Sequence, residues 1–397
     1  MTQRELISVE EARAMIKAGI RILPAAMLPL EKAAGLTLAE NQFALQDIPA
    51  YDQSSMDGYA ICFEDIRENL PVQGVMAAGT SGQVELLPKH AMRIFTGAPL
   101  PRGADTVIMQ EKVAVTGDRI SIENGHMEKG NFVRTKGAEL KKGEQVLPAG
   151  TNLTPARVGL LASIGVPEVS VYPAPVVSVI TTGDELQKPG NSLHFGQVYE
   201  SNTYFLSAAL KEAGVRDISI EAVRDELNAV QQKLAQALDQ ADLVLLTGGI
   251  SVGDFDFVRK AADANGVDCQ FHKVKQKPGK PFYFGTKGNK TVFALPGNPA
   301  SVITCFYEYV LPAIEQMMGS LKPAPLVTAS LREPFRKVEG LTQFLKGYLD
   351  NGSVSILAAQ ESFRLRSFGE ANCLVKLDEK RVQYEKGETV EVRIIPG

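Results

Sequence analysis

The stretch DLVLLTGGISVGDFD, residues 242–256, constrains the fold more than any other. Its run 243–246 is apolar without interruption, the pattern of a strand covered on both faces by helices. Glycines 248, 249 and 253 then free the backbone to turn tightly and bring N–H groups up to an anion. The spacing of Gly248 and Gly253 is that of a Walker A loop, but Asp254 stands where that loop needs lysine, and no Ser or Thr follows. A carboxylate facing a phosphate repels it, by on the order of 4 kcal/mol at about 4 Å and an effective dielectric near 20. A divalent cation between them reverses the sign. The stretch therefore points to a phosphorylated ligand held through Mg2+ and not to a standard P-loop NTPase.

The surrounding segment, 176–318, alternates strands and helices. Strands are expected at 176–180, 218–223, 243–246, 271–274 and 291–295. Helices are expected at 204–213, 225–239 (capped by Asp225), 258–265 and 300–318, with Gly214 and Gly266 stopping two of them. This alternation predicts a mostly parallel sheet covered by helices.

Outside that segment the rhythm changes, and 397 residues are enough for two to four domains. Ser8 and Glu11 fit a capping box opening a helix to about Gly19, and a second helix is expected at 29–35. Residues 51–61, YDQSSMDGYAI, read as a loop. From there to about residue 137, short β-type runs and glycine turns predict a small β-domain, with a hairpin at 113–115 and 120–122. FTGAPLPRGAD, 95–105, reads as a fixed loop before a strand at 106–109. A helix is expected at 155–164. Prolines 167, 173 and 175 mark one boundary, and Lys322, Pro323 and Pro325 mark a linker. Short strands beyond it, at 348–349, 353–357, 372–377 and 390–395, predict a terminal β-barrel or sandwich.

A net charge of −4 gives no electrostatic footprint for nucleic acid, so any positive site must be local. Cysteines 62, 269, 305 and 373 are far apart and lack CxxC pairing, which suits reduced thiols and not a zinc site. The charged N-terminus lacks the apolar core of a signal peptide and no segment reaches transmembrane length, so a cytoplasmic protein without membrane contact is expected. Histidines 90, 126, 194 and 272 form no triad or metal spacing.

Open α/β sheets bind ligands at the carboxyl ends of their strands. Thr182 to Glu185, Asp225, 248–256, Lys273 to Lys280 and Pro296 to Ser301 all fall at such ends. Taken singly, each has a plainer reading: Asp184 and Asp225 as helix caps, the lysines as a solvated run, Asp57 and Thr96 as turn residues. Together they place acids for a metal, glycine amides for phosphate and lysines for further anions in one crevice. Pro278 and Gly279 also shape a rigid turn between Lys277 and Lys280, which a solvated run does not need.

The motifs MDGYA (56–60), FTGAPLP (95–101), TGDEL (182–186), TGGISVGDFD (247–256), KPGKPF (277–282), PGNPAS (296–301) and LRSFGEANCLVKL (365–377) occur in this order over most of the chain. In this they resemble the molybdopterin molybdenumtransferase family, itself similar to the cofactor-inserting E domain of gephyrin. The resemblance implies a multi-domain α/β plus β protein: an elongated N-terminal helical and linker domain (1–50 with 138–172), a small β-rich domain (51–137), a three-layer α/β molybdopterin-binding domain with a mostly parallel sheet (173–320), and a C-terminal β-barrel (323–397). The implied activity is Mg2+-dependent insertion of molybdate into adenylylated molybdopterin, releasing molybdenum cofactor and AMP. Carried onto this chain, Asp57, Glu185, Asp225, Asp256, Lys277 and Lys280 become catalytic candidates, with Glu185 and Asp256 as metal ligands. Thr96, Glu139, Gly248, Gly249, Ser251, Gly253, Lys273, Pro281, Ser301 and Arg366 become substrate-binding candidates. A homodimer whose second subunit completes the crevice is implied, as is contact with the adenylyltransferase and with downstream molybdoenzyme factors. Two residues depart from the pattern: Glu139, where relatives often have Asp, and Glu361, where Gly is common. Two rivals are a molybdopterin adenylyltransferase, which resembles the α/β domain alone, and a non-catalytic carrier, for which loss of the site acids would be expected.

Overall fold

The computed structural model describes residues 6–122, 126–249, 257–320 and 326–395. At its centre is a six-stranded sheet in the order Ile218–Val223, Val177–Thr182, Leu243–Thr247, Lys290–Leu295, Pro281–Lys287, Asp268–Lys273. The first four strands are parallel, and Pro281–Lys287 runs antiparallel to both of its neighbours, so the other five share one direction. Leu243–Thr247 is buried along its whole length. Side chains alternate across a strand. Leu243 and Leu245 accordingly pack with Leu206, Leu210, Val302 and Phe306 on one face, and Val244 and Leu246 with Val230, Leu234, Val258 and Ala261 on the other. A strand between two helical layers has no wet face, which is why its sequence shows no polar alternation.

Several local expectations give way. The strand Pro281–Lys287 was not anticipated, because the KPGKP turn hides its start; a proline is tolerated there as the first residue of a strand. The strand expected at 271–274 lies earlier, at Asp268–Lys273. The helix after residue 224 starts at Leu227 with Glu226 in the cap position and no side-chain cap, so Asp225 does not cap it. No α-helix forms at 29–35: Ala26–Pro29 is a strand paired with Glu168–Tyr172, followed by a single 3-10 turn, Leu30–Lys32. The stretch 51–61 contains the strands Gln53–Ser54 and Gly58–Ile61. The expected helix at 300–318 runs over 299–317, with a π-turn at Phe306–Val310.

The helix Val9–Gly19 does open on a Ser8/Glu11 capping box. Its apolar face joins the same core as one face of the central sheet. The small β-domain is a mixed six-stranded sheet ordered Thr106–Met109, Gly58–Ile61, Ala91–Ile94, Leu70–Met76, Arg119–Ile122, Val113–Thr116. At the C-terminus, Thr342–Asp350, Ser353–Ile356, Leu326–Leu331, Thr389–Ile394 and Cys373–Leu377 close into a five-stranded barrel through pairing of the first with the last. The short strand Gln276–Lys277 leaves the α/β domain and adds to this barrel, parallel to Thr342 and Gln343. Among the described residues, no helix is long and apolar enough to cross a membrane.

Candidate active site

The carboxyl ends of Val177–Thr182 and Leu243–Thr247 lie side by side and frame a small cavity of about 200 Å3. Its floor is glycine for steric reasons. Gly248 has φ 84°, and a Cβ there would lie 2.1 Å from the Thr182 carbonyl oxygen. Gly249 has φ 61°, and its Cβ would meet Thr182 Oγ1 at 2.7 Å and Asp225 Oδ1 at 3.2 Å. Any side chain at either position would fill the space that a ligand needs.

The polar atoms around this cradle are left unpaired. Thr181 Oγ1, Thr182 Oγ1, Asn202 Oδ1, Asp225 Oδ1 and Asn298 Oδ1 are buried without a well-formed hydrogen bond, although Thr182 stands near enough to the Asp225 carboxyl to interact with it. Asn202 is oriented by its amide, which donates to Thr247 Oγ1 (3.1 Å) and to the Gly297 carbonyl (2.8 Å), so its free oxygen is held in place. A buried unsatisfied polar atom costs about 1–3 kcal/mol. Five at one set of strand ends mark a place where the fold forgoes stability that a bound group can restore.

The electrostatics agree. Burial, then the charge of Asp184, hold the Asp225 carboxyl above the usual carboxylate range against an opposing interaction with the Thr182 hydroxyl, and Glu185 adds to the rise. Carboxylates crowded in this way, beside hydroxyl and amide oxygens, form a hard-oxygen donor set that suits Mg2+. Among the described residues no group of three or more His, Cys, Asp or Glu could hold a metal on its own. That is compatible with Mg2+, which is ordinarily held by one or two carboxylates with substrate phosphates and water completing the shell.

The lysine turn follows Asp268–Lys273 at the same end of the sheet. Lys273 is half-buried and registers with Pro281, while Lys277 and Lys280 are exposed on either side of the buried Gly279. Ser301 is buried, near the start of Pro299–Cys305, and its Cβ lies 3.7 Å from where a Gly279 side chain would begin. Lys275, by contrast, pairs with Glu379 at 3.2 Å and belongs to the barrel contact. Asn298 Nδ2 donates to Ser362 Oγ at 3.1 Å, which brings the 361–369 segment, with the exposed Arg366, against the PGNP loop.

Asp57 and Thr96 meet in the small β-domain. The Gly58–Ile61 strand pairs with Ala91–Ile94, and Asp57 accepts hydrogen bonds from the Thr96 amide (2.8 Å) and hydroxyl (2.7 Å). The Thr96 amide, then its hydroxyl, and the Arg93 charge hold the Asp57 carboxyl below its usual range. Gly58 cannot be replaced here: its Cβ would stand 1.9 Å from the Ile108 carbonyl oxygen. None of the hydrogen bonds, ion pairs or strand pairings among the described residues joins this pair to the cavity of the same chain. Glu139 is exposed near Ile48 and is likewise apart from it. Ser251, Gly253, Asp254 and Asp256 lie outside the described residues.

The structure thus brings Glu185, Asp225, Gly248 and Gly249 together, with Ser301, Pro281 and the lysines along the same sheet edge. Thr181, Thr182, Asn202 and Asn298 were missed as site residues. Thr182 and Asn298 sit inside quoted motifs, so a signal existed; Asn202 lies just before the helix expected at 204–213, where nothing in the sequence marks it, and the structure makes it the first residue of that helix.

Comparison with known proteins covers nearly the whole length. Residues 7–165 match the MoeA N-terminal region (domain I and II), 178–316 a probable molybdopterin binding domain, and 328–395 the MoeA C-terminal region (domain IV). A Haemophilus influenzae protein named molybdopterin molybdenumtransferase is 36% identical over 375 residues, 92% of either chain. A Mycobacterium tuberculosis protein named molybdopterin molybdenumtransferase 2 is 33% identical over 404 residues, 97% of this chain and 98% of its own. The crystal structure of a molybdopterin biosynthesis moeA protein from Pyrococcus horikoshii superposes with a TM-score of 0.83 at 29% identity, covering 99% of this chain and 100% of that one.

Proposed function

The chain belongs to the molybdopterin molybdenumtransferase family, enzymes of molybdenum cofactor biosynthesis, and from that premise we propose that it inserts molybdate into adenylylated molybdopterin and releases AMP. The observation that carries this reading is the set of unpartnered buried oxygens around a glycine floor at the strand ends. A phosphoanhydride needs backbone N–H groups, which the Gly248–Gly249 turn can offer, and cations, which the exposed Lys277 and Lys280 can supply. Glu185 and Asp225 would hold Mg2+, with Asp256 as a further ligand, and the ion would neutralise the phosphate charge as AMP departs. Lys273, Ser301, Pro281, Ser251, Gly253 and Arg366 would line the rest of the anion path.

Asp57, kept ionised by Thr96, acts in this reading on the crevice of a second copy; the support is that no hydrogen bond, ion pair or strand pairing among the described residues joins it to the crevice of its own chain. Glu139 would enter in the same way. The division of the chain at 1–50 with 138–172, 51–137, 173–320 and 323–397 belongs to the same proposal. Its support is that 60–133 and 327–392 each hold hydrophobic clusters of their own.

Purified protein given adenylylated molybdopterin, molybdate and Mg2+ should release AMP, and omission of either ion should stop it. Release that ignores molybdate would sink the insertion step. Asp57→Ala should abolish turnover and leave folding intact. Mixing it with Asp225→Asn should restore part of the activity if the crevice is shared between copies; no restoration in mixed dimers would place Asp57 elsewhere.

A further inference from the structure

The turn that carries Lys277 and Lys280 is fastened from below by a buried polar chain that the reaction itself does not use. Tyr309 donates its hydroxyl to Gln276 Oε1. Gln276 Nε2 donates in turn to the Gly279 carbonyl (3.0 Å) and contacts Cys305 Sγ (3.5 Å). Gln276 and Tyr309 are each 1% exposed, and Cys305 is fully buried. Gly279 has φ 86°, and a Cβ there would lie 2.8 Å from Cys305 Sγ and 3.0 Å from Gln276 Nε2. The turn therefore rests directly on this chain of atoms.

Its flanks are held as well. Val274 N donates to the Lys280 carbonyl at 2.9 Å and closes the base of the turn. On one side Lys275 N donates to Ile7 O (2.8 Å), and on the other Thr342 N donates to Lys275 O (2.9 Å). Gln276 and Lys277 register with Thr342 and Gln343 as an added strand of the C-terminal barrel. Tyr309 lies in the π-turn Phe306–Val310, and Glu308, also buried there, binds Arg393 of the barrel. A π-turn widens the helix by one residue and re-aims the side chains along it. Here two adjacent side chains, 308 and 309, are both buried in polar contacts, one to the barrel and one to the lysine turn.

We propose that Tyr309 and Gln276 are positioning residues for Lys277 and Lys280, and that the C-terminal barrel serves the reaction by clamping the Gln276–Lys277 strand so that both ammonium groups stay at the crevice edge. This assignment rests on the reading of the lysines as anion-binding groups. It gives the barrel a task although none of its residues is among the metal or glycine elements of the site.

The test uses the full-length protein and the variant Tyr309→Phe, which removes one hydroxyl and nothing else, with Gln276→Leu as a second variant. Hydrogen exchange read by mass spectrometry should rise at 276–280 and stay unchanged in Val9–Gly19 and Leu243–Thr247. In AMP-release assays the KM for molybdate or for adenylylated molybdopterin should rise about tenfold, the scale of one lost buried hydrogen bond, with a smaller change in kcat. In a Lys277→Gln/Lys280→Gln background, Tyr309→Phe should add nothing further. Unchanged exchange at 276–280 overturns the proposal. So does raised exchange with unaltered KM, or a full additional loss in the double-lysine background. A wild-type protein that releases no AMP defeats the functional reading instead, and the exchange result still decides whether this network holds the turn.

Discussion

Two clusters of buried polar groups in this protein are built on opposite terms. At the junction of the N-terminal helix, the 299–317 helix and the barrel, both carboxylate oxygens of Glu308 are taken: Arg13 Nη2 donates at 2.6 Å and Arg393 Nε at 2.9 Å. The Glu308 and Arg393 side chains are 1% and 4% exposed. Burial works against the Arg13 charge, but Glu308 and then Glu391 outweigh it, and the guanidinium pKa is raised. At the strand-end cavity Asp225 Oδ1 and four other oxygens are buried without a well-formed hydrogen bond, and the neighbouring acids add repulsion. Burial alone therefore says little about role. Charges paired with one another mark a joint between elements, even where one nitrogen, Arg13 Nε, is left without a partner, and a cluster of open oxygens marks a place for something that is not part of the chain.

The comparison can be broken most severely at the joint. Glu308→Ala removes the buried carboxylate that Arg13 and Arg393 share and leaves Arg13 with Glu391, and it should cost about 3 kcal/mol. Urea unfolding should show a large drop in the midpoint, while the variant that remains folded still turns over; normal stability would mean that the ion pairs are not what holds the junction. Gly249→Ala comes next. A left-handed residue with a side chain costs about 1–2 kcal/mol, but here the new methyl also enters the cavity beside Thr182 and Asp225. Activity should fall by roughly two orders of magnitude, the scale of a misplaced reacting group, out of proportion to the stability change.

Titration separates the carboxylates more finely. Asp225 has a raised pKa in the folded chain, so its charge opposes folding above that pKa and the opposition disappears on protonation. The melting-temperature gain from Asp225→Asn should be greatest near neutral pH, shrink as pH falls below the raised value and vanish as pH falls through the ordinary carboxylate value near 3.9. Asp57 has a lowered pKa, so its contribution is present above the usual carboxylate value near 3.9 and is lost as pH falls through the lowered one. Asp57→Asn should accordingly be slightly destabilising at neutral pH and neutral in acid, the opposite sign. The smallest expected effect is that of Thr96→Val, which removes one hydroxyl donor to Asp57 and leaves the amide; AMP release should fall by about tenfold or less.

Much of this architecture could be read from residues alone, because strong local signals agreed with the global fold. The Ser8/Glu11 capping box, the apolar run before Gly248 and the strand at Ile218–Val223 all formed as expected. What could not be read was set by partners distant in sequence. Pro29 joins a strand because Glu168 lies opposite it, and Pro281–Lys287 is a strand because it fits between two others. In the site, glycines and acids announced themselves through motif spacing. Asn202 did not, since its value comes from Thr247 and Gly297 holding its amide so that the oxygen is left free. Tyr309 looked like one more aromatic in a buried helix, and only the π-turn shows what its hydroxyl holds.

The most direct test of the contrast between the joint and the cavity is a paired measurement on Asp225→Asn: thermal stability at neutral pH and Mg2+- and molybdate-dependent AMP release from the same preparation. The account predicts a melting temperature equal to or above that of the unaltered chain, with AMP release reduced at least about a hundredfold, the scale on which removal of a single transition-state-stabilising group is felt. A variant that melts earlier and keeps its activity would contradict it, because Asp225 would then be a structural residue like Glu308.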